Sequence, residues 1–166
     1  MAGNAAMPSS TSTLRLEIAD LERLLFRFRP SNVESLRLGR EGDRLLLRLE
    51  GLRLPTPLLP AIAATFEVKA GLVEGLRNVV GVRLVAEKLP LGLQAMANPF
   101  LDKLVEKMLP PDASAYVEVR SPNVFRVHLE KIPEYGRPFR ETLTLARLTV
   151  PGPDGGALEA GFSVRA

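Results

Sequence analysis

The stretch LRLGREGDRLLLRLEGLRLP, from Leu36 to Pro55, limits what this chain can fold into more than any other segment. Leucine alternates with arginine and other charged residues along most of its length. Successive side chains of a β-strand point to opposite faces, so a period of two gives one apolar face and one charged face. Leu45, Leu47 and Leu49 fall on one side, opposite Arg44, Leu46, Arg48 and Glu50. Turn residues at 40–43 fold the stretch into a hairpin, with one strand from Val33 to Leu38 and the next from Arg44 to Leu54. The prolines of PTPLLP end the second strand, because proline cannot donate to a β-ladder. An apolar ribbon of this kind has to rest on something, either the protein's own elements or a lipid.

The same alternation recurs downstream. Phe66, Val68 and Ala70 alternate with Thr65, Glu67 and Lys69, and Val80, Val82, Leu84 and Ala86 line a further strand. SAYVEVRSPNVFRVHLEKI reads as a hairpin-like pair, with Val117 and Val119 and then Phe125, Val127 and Leu129 facing in. PEYGRPF is expected as a loop, and the C-terminal residues as a closing hairpin around Pro-Asp-Gly-Gly.

Helical signals are fewer. After a short strand from Leu14 to Ile18, Asp20 can cap a helix carrying Leu21, Leu24, Leu25 and Phe28, stopped at Pro30. One longer helix from Leu14 is the alternative, because Leu14, Ile18, Leu21, Leu25 and Phe28 also fit a helical stripe. The strongest signal is LPLGLQAMANPFLDKLVEKMLPP. Asn98 is a good N-cap and Pro99 falls at the first helical position, where its missing N–H costs nothing. Met96, Phe100, Leu104 and Met108 share one face with Leu101 and Val105 beside them, until Pro110 and Pro111 end the helix. The expected class is α+β: a strongly curved, mainly antiparallel sheet wrapped around one long amphipathic helix, plus a short N-terminal helix. Residues 1–13 read as a disordered lead-in to a single domain over 14–166.

Composition bounds the chemistry. At 46% hydrophobic and 25% charged over 166 residues, the chain fits one globular domain with a real core. No run nears the roughly 20 apolar residues of a membrane-spanning helix. The N-terminus lacks the charged and apolar regions of a secretory signal, so a cytoplasmic or membrane-peripheral location is expected. With no cysteine and a single histidine, His128, thiolate catalysis is excluded and neither a catalytic zinc site nor a cofactor is expected. No Gly-x-Ser-x-Gly elbow accompanies that histidine, which should face away from Val127 and Leu129 on an exposed strand surface. Asp102 and Glu106 are helix neighbours among lysines rather than a matched acid pair. No catalytic residue is expected, and the chain reads as a non-enzyme. The net charge of +3 comes mainly from arginines spread singly between apolar positions. That is the solvated side of amphipathic strands, with weak attraction to anionic phospholipid headgroups as the functional alternative. Nucleic acid is not expected, since that would need a clustered basic patch with stacking aromatics.

Three stretches carry a family resemblance: IADLERLLF from Ile18 to Phe26, the strand GDRLLLRLEG, and VRLVAEKLPLGLQAMANPFLDKL from Val82 to Leu104. Together they resemble bacterial lipid-binding families related to the tubular lipid-binding (TULIP) superfamily, over roughly Leu16 to Val164. The pattern is one of apolar positions. The exported N-terminus usual in several of these families is missing, and the chain is long enough for one module where such proteins often carry two. The resemblance implies a curved sheet around a long helix, with an elongated apolar groove for acyl chains and no catalytic residue.

The leading functional expectation is therefore a non-enzymatic domain that shelters a lipid or fatty acyl chain, acting in envelope or membrane-lipid homeostasis. Its lining would be Met96, Phe100, Leu101, Leu104 and Val105 from the helix. The strands would add Leu45, Leu47, Leu49, Val82, Leu84, Phe125 and Val127. Peripheral contact with an anionic membrane and self-association accompany this reading. The alternative is a protein-interaction or assembly module with a closed hydrophobic core and no ligand. An enzyme comes third, for want of a carboxylate pair at useful spacing.

Overall fold

A computed structural model describes residues 11–27, 29–53, 58, 60–90, 109, 111–120 and 123–165. Of these, 52% lie in strands and 19% in helical turns. The strands are β1 (Thr11–Leu16), β2 (Ser35–Glu41), β3 (Arg44–Leu52), β4 (Ile62–Leu72), β5 (Val79–Lys88), β6 (Val117–Arg120), β7 (Val124–His128), β8 (Leu143–Thr149) and β9 (Leu158–Val164). The α-helices are α1 (Ile18–Phe26) and α2 (Gly136–Glu141). All pairing is antiparallel. Six strands form one sheet in the order β2-β3-β4-β5-β7-β6, and three form another in the order β1-β9-β8.

The expected α+β class is overturned. The described residues are mostly β, in two sheets of which neither closes, with two helices of nine and six residues. No long amphipathic helix is among them, and the segment expected to supply it, Asn98 to Met108, lies outside the described residues. The physical reason lies in what covers the larger sheet. Its apolar face meets Ile18, Leu21 and Leu25 of α1, and Val150 and Ala157 from the connection between β8 and β9. Among the described residues, a short helix and the β8–β9 connection lie against this face.

Local sequence accounts for the elements. β2 and β3 turn through Gly42 and Asp43, and Gly42 takes the positive φ (58°) that the first central position of a two-residue hairpin turn can require. In β3 the register slips by one residue between Leu49 and Leu52, at Gly51 with φ 62°. This bulge reverses the parity of the strand, so Leu49 and Leu52 both point into the core, at 1% and 0% exposure. α1 starts one turn earlier than Asp20 would set it: Glu17 is the N-cap residue, with no side-chain cap bond, and Asp20 sits in the first turn. There its charge complements the helix dipole. Ile18, Leu21 and Leu25 lie at helical spacing on the side facing the sheet, and the Glu22 carboxylate accepts from the Leu38 N–H at 2.9 Å. PEYGRPF, expected as a loop, contains the start of α2. β1 begins at Thr11, inside the stretch read as a lead-in.

One buried side chain ties the start of β8 to the larger sheet. Asn78, 1% exposed, ends the turn between β4 and β5 with φ 55°. Its Nδ2 donates to Glu130 Oε1, Phe139 O and Leu143 O, each at 3.1 Å. Its Oδ1 accepts from Leu145 N at 2.8 Å. An amide has two hydrogens for these three acceptors, so at least one is shared. At the opposite end of the larger sheet, Arg40 shares the face of Leu45 and donates to Gly152 O at 2.6 Å and Gly156 O at 3.0 Å.

Candidate functional site

The register places the seven strand residues expected to line a groove on one face of the six-stranded sheet. Leu47 pairs with Phe66, Leu49 with Ala64, Leu45 with Val68, Val68 with Leu84, and Val82 with Phe125. Val127 pairs with Val80, two positions from Val82 on the same strand. Cross-strand partners share a face, so these side chains form one apolar surface. Five of the seven are buried: Leu45, Leu47, Leu49, Leu84 and Phe125 are 1–9% exposed. Val82 and Val127 are half-buried. Leu45, Leu47, Leu49, Leu84 and Phe125 belong to a single cluster with Phe66 and Leu52, both at 0% exposure. The five helix residues of the expected lining, Met96, Phe100, Leu101, Leu104 and Val105, lie outside the described residues.

Side chains capable of chemistry do not converge. Among the described residues, no group of three or more His, Asp or Glu could hold a metal ion. His128 faces away from Val127, as the alternation requires, and is half-buried rather than exposed. Its Nε2 lies 3.4 Å from Glu118 Oε2 on the neighbouring strand β6. That contact, more than the nearby Arg120 and Arg126, holds the Glu118 carboxyl below its ordinary value. Burial alone would raise the carboxyl of Glu130, but hydrogen bonds from Arg77 and Asn78 outweigh it and leave this group lowered too. Tyr116 is pushed up by burial and by Asp112. Glu118 and Glu130 are thereby each tied to a neighbouring element.

The opposite face of the same sheet is where charge collects. Arg37 stands directly across from Arg48, and Lys69 directly across from Arg83. Arg126 sits opposite Glu118, and Lys88 opposite Thr65. Several of these cations are neutralised in place. Arg48 meets Glu41 at 3.0 Å, and Lys69 lies 3.9 Å from Glu67. Arg44 bonds Glu87 and lies 3.5 Å from Glu67, while Arg120 meets Glu118 at 2.5 Å. Arg37, Arg83 and Lys88 are exposed and stand within ion-pair distance of no carboxylate among the described residues. Glu50 is the one carboxylate of this face outside an ion pair among the described residues. The smaller sheet differs: on its polar face Glu159, 6% exposed, accepts from Arg15 Nε and Arg147 Nη2, each at 2.7 Å.

No family model, curated protein or solved structure matches this chain. Two features escaped the sequence reading. Nothing local signals that residues more than 50 positions away would close on Asn78. The outward arginines were visible in the alternation, but which of them oppose each other depends on a register that alternation does not give. Among the described residues no helix is long and apolar enough to cross a membrane.

Proposed function

We propose that this chain is a non-enzymatic interaction module whose apolar interior is closed by its own elements and whose contacts are made from outside. The observation that carries this reading is the burial of the expected groove lining. Leu45, Leu47, Leu49, Leu84 and Phe125 sit in one cluster with α1 and the β8–β9 connection packed against it. A groove open to an acyl chain would leave these side chains accessible, since burying methylenes from the ligand is what would hold it. The scattered carboxylates and lone histidine support the non-enzymatic part, because His128, Glu118 and Glu130 are each engaged in a structural pair and no three such groups gather among the described residues.

Two open sheets also supply edges through which assembly can occur. β1 ends the smaller sheet and is exposed along most of its length. β2, by contrast, is blunted by the Glu22 side chain bonding to Leu38 N. The test is native mass spectrometry after incubation with fatty acids and phospholipids, paired with sedimentation over a range of concentrations. The expected result is an unchanged polypeptide mass free of acyl adducts. A stoichiometric acyl-chain adduct would overturn the closed interior and return the chain to the lipid-sheltering reading.

A further inference from the structure

We infer that the outer face of the six-stranded sheet is a docking surface for an anionic phospholipid membrane, with Arg37, Arg83 and Lys88 as its free cations. The proposal rests on the reading of the chain as an interaction module and assigns that module its partner.

Three observations carry it. The first is the register. Like charges placed directly across a sheet are destabilising, yet this face does it twice, at Arg37–Arg48 and Lys69–Arg83. Glu41 and Glu67 stand beside Arg48 and Lys69, and an anion laid over either pair relieves the repulsion they leave. The second is what remains after internal pairing. Glu41, Glu67, Glu87 and Glu118 are already held by Arg48, Arg44, Lys69 and Arg120, so against Arg37, Arg83 and Lys88 only Glu50 is left unpaired on this face among the described residues. The third is the layout. Arg37 on β2 and Lys88 on β5 lie in one cross-strand row, three strand spacings or about 14 Å apart, and Arg83 is displaced along the sheet from that row by four residues of β4. No single small anion reaches both. Among the described residues the donors of this face do not converge, and it suits instead an extended plane of negative charge.

A phospholipid surface fits that plane better than a nucleic acid does. Single strands are held by aromatic side chains on which bases stack. Phe66 and Phe125, the aromatics of these strands among the described residues, are buried on the other face. Each basic residue near an anionic leaflet contributes attraction that decays within a Debye length, about 10 Å at 0.1 M salt. Three free cations therefore give weak, reversible and strongly salt-dependent adsorption.

The test is cosedimentation of the full chain with vesicles of phosphatidylcholine alone and of phosphatidylcholine mixed with phosphatidylglycerol. The variants are R37E/R83E and, as a control with the same change in net charge, R23E/R137E on the two helices. The wild type is expected to pellet with the mixed vesicles at low salt, to be released by added salt, and to leave pure phosphatidylcholine unbound. R37E/R83E should lose at least about tenfold in affinity while the control stays close to wild type. R37Q/R83Q, which removes charge without reversing it, should fall between them, and melting curves check that each variant is folded. Failure to bind the mixed vesicles, equal binding to phosphatidylcholine, or equal losses in the two charge-reversal variants overturns the proposal. Tighter retention on duplex DNA than on the mixed vesicles overturns it too, by making the partner a nucleic-acid backbone. None of these outcomes bears on the acyl adduct that would overturn the closed interior, so the two readings fail separately.

Discussion

At the scale of single residues, Asn78 and Gly51 each satisfy two demands at once. Asn78 adopts a left-handed backbone, which asparagine tolerates better than most residues, and completes four side-chain hydrogen bonds in the core. Asn78→Ala leaves the Leu145 N–H buried without its acceptor and should cost about 3 kcal/mol in urea unfolding. Asn78→Asp keeps the shape but sets a carboxylate against Glu130 and two carbonyls. It should destabilise more than alanine at neutral pH, and the gap should narrow as acid protonates the pair. Gly51 has positive φ, and a Cβ there would lie 2.4 Å from Glu34 Cβ. Gly51→Ala should therefore cost at least about 2 kcal/mol, read as a lowered denaturant midpoint with an unchanged slope. Gly42 and its turn were legible in the sequence because the signal is local. Gly51 was not, because a glycine inside a run of leucines marks a bulge only once the partner strand is known.

At the scale of elements, alternation located the strands well and the helices poorly. β2 to β7 fall close to the apolar runs that announced them, since period two leaves a mark in each run separately. α2 has six residues with Pro138 among them, too short for a 3.6-residue period to show. Pairing between strands left no such mark, so one sheet was expected where two exist. Charge follows the same logic. Glu159 in β9 ties β1 to β8 by accepting from Arg15 and Arg147, both more than half exposed. Screening discounts these pairs, so R15A/R147A should cost about 1–2 kcal/mol, mostly from the carboxylate left buried and unpaired. Hydrogen exchange should show β1 losing protection before β4. Arg37→Glu alone converts a like-charge cross-strand pair into an opposite one and should raise stability by a few tenths of a kcal/mol or more. If the same change weakens vesicle binding, the charge arrangement is kept at the expense of stability.

At the scale of the whole molecule, acid should loosen the joint between the sheets. Glu118 and Glu130 are both held below the ordinary glutamate value of 4.5. A carboxyl depressed in the folded state adds stability that is present above the unfolded value and lost as pH falls through the folded one. The melting temperature should drop as pH is lowered past 4.5, and less steeply in Glu130→Gln, which cannot take up the proton. The larger architecture has a consequence in time. β1 pairs with β9 alone, so the earliest described strand has its only partner in the latest. The residues of the six-stranded sheet, 35 to 128, are all made before α2, β8 and β9 exist. Ribosomes add roughly 5–20 residues per second, so β1 waits on the order of ten seconds for its neighbour. Through that interval the apolar face that Val150 and Ala157 later cover is unfinished, and Asn78 has yet to meet Phe139, Leu143 and Leu145. The share of the cover that Val150 and Ala157 supply arrives only after the whole six-stranded sheet has been made, and a chaperone would find its best foothold on the same leucines just before it does.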